Sequence, residues 1–335
     1  LSIQIDILEN EILEQYPNVL DILLRDYTTK KNIIWATENY EYLGQTYEQT
    51  KQILPELITG ENGNLIMPRV QKDIVLQLSR VKNMAEVFTP SWVCNAQNNL
   101  IDNAWFQKEN IFNTEIQLTN GNPYWKVNSN KIIFPKDKTW QDYISDKRLE
   151  ITCGEAPYIT SRYDTTTGIF IPINERIGLL DRKLRVINEN VDSENNWLKA
   201  VKIAFESTYA FEWQGDSLLL AREAMLFTFI ENFKLKFNKE PLLKSIQDIA
   251  YIISWNVWQM DGLKGVVPNS CASESTITTN LFGEIVTKNS ICLGCNKNEI
   301  TKHNGSYCII KDWTKKDSTS NKMGKTIKYI DLLQQ

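Results

Sequence analysis

Apolar positions open the chain at three- and four-residue steps. Ile5, Leu8, Ile12 and Tyr16 share one helical face until Pro17 interrupts it. Val19, Ile22 and Leu23 resume the pattern, and after the loop-forming run TGENGN at 59–64 a charged helical stretch is expected from about Val70 to Met84. Residues 1–85 thus predict an N-terminal helical region. After Val87 the texture changes. Short apolar runs at Lys131–Phe134, Leu149–Thr152, Ala210–Trp213, Ile249–Val257, Cys308–Ile310 and Ile327–Ile330 predict strands, and helical stretches alternate with them. The longest predicted helix covers about Asp216–Phe237, with Asp216 suited to its N-cap and Leu218, Leu219, Met225, Leu226, Phe229 and Phe233 on its apolar face. Strand–helix alternation predicts an α/β domain with a mostly parallel sheet over 86–335. In such sheets ligands bind at the carboxyl ends of the strands, so the strand ends are where chemistry is expected.

Composition narrows the functional classes. Apolar residues make up 42% and charged residues 23% of the chain, which excludes a disordered polymer. No uncharged apolar run approaches the ~18–20 residues that span a bilayer. The opening LSIQIDILENEILEQ has no basic segment leading into an apolar one, so no secretory signal is expected and a soluble, cytoplasmic protein is. A net charge of −4 argues against a general nucleic-acid coat. The charge is unevenly spread: residues 1–60 carry ten acidic against four basic side chains, and 296–335 carry eight lysines against four acids. Either block alone also fits ordinary solvated surface.

Three strand ends and one helix start draw attention. Leu149-Glu150-Ile151-Thr152-Cys153-Gly154-Glu155 ends a predicted strand at a glycine, where a ligand can approach the backbone. Tyr209-Ala210-Phe211-Glu212-Trp213-Gln214-Gly215 places an acid at a strand tip ahead of the long helix, a position suited to ribose hydroxyls. Trp258-Gln259-Met260-Asp261-Gly262-Leu263 places an Asp at the third tip, where it would accept from the amino group of an adenine. Upstream, Glu86-Val87-Phe88-Thr89-Pro90 reads as a helix start, and a helix N-terminus attracts a carboxylate.

Taken in order, EVFTP, LEITCGE, YAFEWQGDSLLLAR and NVWQMDGL resemble the N6-adenine DNA methyltransferases of restriction–modification systems, in particular their modification subunits, over roughly residues 80–265. The resemblance implies a Rossmann-like S-adenosylmethionine-dependent methyltransferase fold. It implies that Phe88, Thr89 and Pro90 flank the methionine end of the cofactor and that Cys153 and Gly154 turn beneath it. Glu155 would stand beside its amino group, Glu212 would hold the ribose, and Asp261, with Gly262 and Leu263, would face the adenine. Double-stranded DNA is then the expected partner. About 58 residues separate Gly154 from Glu212, more than a plain strand–helix–strand step needs. The excess, an insertion at about 160–200, holds the basic amphipathic run RIGLLDRKLRVINENV (176–191), expected to serve as a lid, a partner-binding helix or a DNA contact.

Enzymes of this family swing the base out of the duplex and hold it with Asn/Asp/Ser-Pro-Pro-aromatic. No Pro-Pro pair occurs in the chain. Asp312-Trp313, at the end of the predicted strand Cys308–Ile310, is the best-placed substitute for a catalytic acceptor and stacking ring. Without it, the chain is expected to be a cofactor-binding subunit completed by a second one, or a non-catalytic DNA-binding or regulatory relative. A third reading is a zinc-containing nucleic-acid adaptor. Cys292, Cys295, His303 and Cys308 fall at zinc-like spacing and predict a structural zinc element over 290–313, with Cys271 available in place of His303. His303 is the single histidine of the chain, which excludes a Ser-His-Asp triad elsewhere.

Overall fold

The computed structural model describes residues 9–72, 89–119, 121–279, 285–318 and 323–333, with side chains throughout these except at 274–279 and 285–290. Phe88 and most of the expected Val70–Met84 helix lie outside the described residues. The described elements before the central sheet are helices α1 (Glu9–Gln15), α2 (Val19–Leu24), α3 (Pro55–Ile58), α4 (Ser91–Phe106) and α5 (Trp140–Ser145), with strands β1 (Arg25–Asp26), β2 (Lys31–Asn32), β3 (Asn113–Gln117) and β4 (Pro123–Val127).

At the centre, β5 (Arg148–Ile151), β6 (Thr208–Glu212) and β7 (Val257–Gln259) form a parallel sheet in the order β5–β6–β7, with Leu149 beside Tyr209 and Phe211 beside Trp258. The crossover from β5 to β6 carries α6 (Leu179–Asn190) and α7 (Glu194–Glu206), and the one from β6 to β7 carries α8 (Gly215–Phe237) and α9 (Leu243–Asn256). Because the strand order advances in one direction, right-handed crossovers put all four helices on one face. Ala210 and Val257 point into the core these helices share with Leu218, Phe229 and Ile253. The opposite face is covered by an antiparallel hairpin, β10 (Ile309–Lys316) with β11 (Met323–Lys328), through Tyr209, Phe211, Trp258, Cys308 and Ile310. The protein is thus a mixed α/β fold with a parallel three-stranded core. Between β7 and this hairpin lie β8 (Glu274–Thr279), β9 (Ile285–Ser290) and the short α10 (Leu293–Lys297). No described helix is long and apolar enough to cross a membrane.

Several expectations are corrected. The described part of the N-terminal region, 9–72, is not mainly helical: beside three short α-helices it holds a two-residue β-ladder and 3₁₀ turns. After α2 the chain extends at Arg25, and Asp26 closes the following turn, accepting from the amides of Thr28 and Thr29 at 3.1 and 3.0 Å. Trp35, Ile53 and Leu23 of this region are buried in the same core as α8 and α9. Ile249–Asn256 is helix rather than strand, since Ile246, Ile249, Ala250 and Ile253 repeat at helical steps and only Val257–Gln259 extends. Lys131–Phe134 forms no strand; the Ile132 amide instead donates to Glu189 of α6 at 2.8 Å.

The 176–191 run is no lid. As α6 it is buried along Leu179, Leu180, Arg182, Lys183, Leu184, Val186 and Ile187. Its basic groups are consumed inside: Arg182 pairs with Asp102 at 2.6 Å, and Lys183 donates to the carbonyl of Asp146 at 2.6 Å. A helix whose cations satisfy buried acceptors has no free charge to offer DNA.

Candidate functional site

At the carboxyl ends of β5 and β6 lies a cleft of about 1310 Å³. The turn after β5 forms its floor. Thr152, Gly154 and Ala156 all take positive φ, at 48°, 53° and 59°. A β-branched Thr in that region is an outlier, and strain of this kind concentrates where a backbone must present itself to a ligand. Glu212, at the tip of β6, holds the turn in place: its carboxylate accepts from the amides of Gly154 at 2.8 Å, Trp213 at 2.9 Å and Gln214 at 3.3 Å. Burial raises the Glu212 carboxyl above its ordinary range against these three amides, which lower it. Beneath the turn, Glu150 accepts from the amides of Tyr158 and Ile159 at 3.3 and 3.1 Å. Burial pushes its carboxyl up to about 8, with the charge of Glu212 adding to the rise.

Of the residues expected around a cofactor, Thr89, Cys153, Gly154 and Glu212 line this one cleft. Pro90 caps α4, as a helix start requires, but the helix N-terminus is already taken: Ser91 donates its amide to Asp164 at 2.7 Å. Glu155 is not among the lining residues. Its carboxylate accepts from the Arg69 amide and the Tyr163 hydroxyl, both at 2.6 Å, because a 3%-exposed acid takes the donors nearest to it. Asp261, Gly262 and Leu263 do not line the cleft either. Asp261 closes its own turn, accepting from the amides of Leu263 and Lys264 at 3.1 and 3.2 Å and pairing with the Lys264 ammonium at 3.0 Å. Gly262 is needed there because a Cβ would come within 2.7 Å of the Phe211 ring.

Asp312 and Trp313 stand at the other end of the sheet. β10 runs back along the sheet face, so Trp313 donates to Asn256, just before β7, at 2.7 Å, while Asp312 faces Lys147, just before β5, at 3.9 Å. Asp312 further accepts from Thr314 Oγ1 at 2.6 Å. The pair marks the amino-terminal edge of the parallel strands, away from the cleft and not beside the expected cofactor residues as a catalytic pair would require.

Sequence reasoning missed one wall of the cleft. Ala36, Thr37, Glu38 and Asn39 reach it from the N-terminal region, and Trp213 donates from its indole to the carbonyl of Ala36 at 3.0 Å. Gln97, Asn98 and Tyr158 form part of another wall, with the Tyr158 hydroxyl donating to Gln97 at 2.5 Å. Glu150 was legible as a charge inside an apolar run; residues 36–39 carry no such signal.

A second cluster lies beyond β7. Cys271, Cys292, Cys295 and His303 bring one ligand atom each within 4.8 Å of one another, a Cys₃His group that could hold a metal. Cys308 is not in it: its thiol is fully buried under the hairpin and donates to the carbonyl of Gln259 at 3.4 Å. The expected set therefore exchanges Cys308, not His303, for Cys271. Burial pushes the Cys271 thiol up to about 11, helped by its hydrogen bonds to Cys295 and Cys292. At Cys292 burial acts the same way but is outweighed by the amides of Cys295 and Asn304 and by His303, bringing that thiol down to about 6.

Compared with protein-family models, curated proteins and solved structures, the chain matches none.

Proposed function

We propose that the chain is an S-adenosylmethionine-dependent DNA adenine-N6 methyltransferase with a Rossmann-like fold, or the cofactor-binding subunit of one, acting in the cytoplasm within a restriction–modification or related defence system. One observation supports this most. Thr89, Cys153, Gly154 and Glu212, distant in sequence, meet around a single cleft at the carboxyl ends of adjacent parallel strands. Its volume of about 1310 Å³ holds a nucleoside-sized ligand with room for access. A strained turn brings its backbone to the cleft, and the adjoining strand tip carries a carboxylate suited to vicinal hydroxyls. When bound, the cofactor would supply an electrophilic methyl group. The residues of this chain would orient it, with Gly154 admitting close approach and Glu212 exchanging a backbone amide for a ribose hydroxyl.

The cofactor-binding subunit, completed by a second chain on double-stranded DNA, is the form we favour. The chain has no Pro-Pro-aromatic motif, and its best substitute, Asp312-Trp313, lies at the amino-terminal edge of the sheet. A metal in the Cys₃His group would serve the fold rather than the transfer, since four protein ligands leave no open position.

Titration calorimetry with S-adenosylmethionine tests the reading. We expect micromolar binding by the wild-type chain, weakened by about 1–3 kcal/mol in Glu212→Ala, where the Gly154 amide loses its acceptor. Absence of binding, with and without duplex DNA, would sink the cofactor assignment.

A further inference from the structure

The Cys₃His group has the dimensions of a coordination sphere. A tetrahedral zinc with Zn–S and Zn–N bonds of about 2.3 and 2.0–2.1 Å puts each sulfur about 3.6 Å from the nitrogen. His303 Nδ1 lies 3.6, 3.8 and 3.6 Å from the sulfurs of Cys271, Cys292 and Cys295. Ordinary packing of thiols on a histidine does not require one ring nitrogen to be equidistant from three sulfurs.

The surroundings are built to hold this arrangement. A Cβ on Gly294 would fall 2.7 Å from His303 Nδ1 and 2.6 Å from its backbone nitrogen, so the imidazole can sit on the Cys292–Cys295 knuckle only because that position has no side chain. Gly305 does the same for Cys271, whose sulfur would lie 3.0 Å from a Cβ there. Asn304 donates its amide to the Cys292 sulfur at 3.2 Å, the contact a thiolate ligand accepts. Its side chain also clasps Ala272, donating to that carbonyl at 2.9 Å and accepting from that amide at 3.2 Å. The loop carrying His303 is thereby joined to the segment carrying Cys271 by protein contacts alone.

We propose that Cys271, Cys292, Cys295 and His303 form a closed structural Zn²⁺ site that staples the base of the β8–β9 hairpin. Cys271 precedes β8 and Cys292 follows β9, so a single ion ties the two ends of the hairpin together. Three thiolates and a neutral imidazole around Zn²⁺ give the centre one net negative charge. Lys264, paired with Asp261 at 3.0 Å and within electrostatic reach of Cys295 and Cys271, supplies the neighbouring cation. Thiolate and imidazole donors in a tetrahedron select zinc over the hard cations that prefer oxygen.

The test is metal analysis of the full chain, purified reduced and without chelator. We expect one equivalent of zinc, lost in Cys271→Ser and His303→Ala and retained in Cys308→Ala. Should Cys271→Ser fail to fold, cobalt(II) substitution decides: the charge-transfer intensity of three thiolates is expected in the wild-type chain and unchanged in Cys308→Ala, whereas a drop by about a third in Cys308→Ala would place the third thiolate at Cys308 and overturn the proposal. Stripping the metal should open new proteolytic cuts in the ligand-bearing segments at 271–273 and 291–305 while the parallel-sheet core stays resistant. Folded, reduced protein with no bound metal would overturn the proposal, as would zinc lost in Cys308→Ala but kept in Cys271→Ser, or an unaltered digestion pattern after stripping. None of these readouts depends on the cofactor cleft.

Discussion

Glu150 offers the sharpest test of the physics at the candidate cleft. It lies on the helix-facing side of β5, 9% exposed, and burial lifts its carboxyl from 4.5 to about 8. Between those values the folded protein holds a proton that the unfolded chain has lost. Stability from this group is therefore complete below pH 4.5 and declines as pH rises to about 8. The slope is about 1.4 kcal/mol per pH unit, or about 5 kcal/mol over the whole window. Glu150→Gln abolishes this titration. It also costs something of its own. Each Glu150 oxygen accepts one amide, from Tyr158 or Ile159, and glutamine must turn its amino group toward one of them, a loss of about 1–3 kcal/mol at every pH. The two stability curves should cross. Wild type is the more stable near pH 5, the variant is the more stable at pH 8–9, and the crossing falls at about pH 5–7 when that loss is set against the slope. Urea denaturation of both proteins from pH 5 to 9 at constant ionic strength measures this directly. Glu212 titrates in both and largely cancels in the difference. A wild-type-minus-variant difference that stays constant across that range would refute the reasoning.

Three further outcomes are expected. Arg182→Met leaves Asp102 buried and short of its strongest partner and should cost about 3–5 kcal/mol in chemical denaturation, with Tyr143 still donating to the acid at 2.9 Å. Gly294→Ala drives a methyl into the His303 ring and should reduce zinc content and destabilise by about 1–3 kcal/mol; full metal loading with unchanged melting would contradict the packing argument. Asp164→Ala removes the acceptor for the Ser91 amide at the start of α4 and should cost about 0.5–2 kcal/mol, read as a lower urea midpoint.

Much of this protein is determined locally and is legible along the chain. The apolar run before Gly154, the acid closing Tyr209–Glu212 and the helical spacing of Leu218 through Phe233 each specify their own element, because the period of burial is written into consecutive residues. The Cys292–Cys295 knuckle with His303 is local in the same sense. The tertiary structure alone decided which of these local features meet. Cys308 has the spacing of a fourth ligand, but it opens a strand whose apolar side chains are drawn onto the sheet, and its thiol goes with them. Cys271 takes its place because the hairpin β8–β9 folds its two ends together. Asp312-Trp313 follows a plausible strand, yet that strand runs antiparallel along the sheet face and delivers the pair to the wrong end. Ala36–Asn39 joins the cleft because Trp35 and Ile53 bury themselves against α8, a packing between distant segments for which no short motif exists. Periodicity records which side of an element is buried. Against what it is buried is settled by long-range packing, and the composition of both candidate sites follows from that.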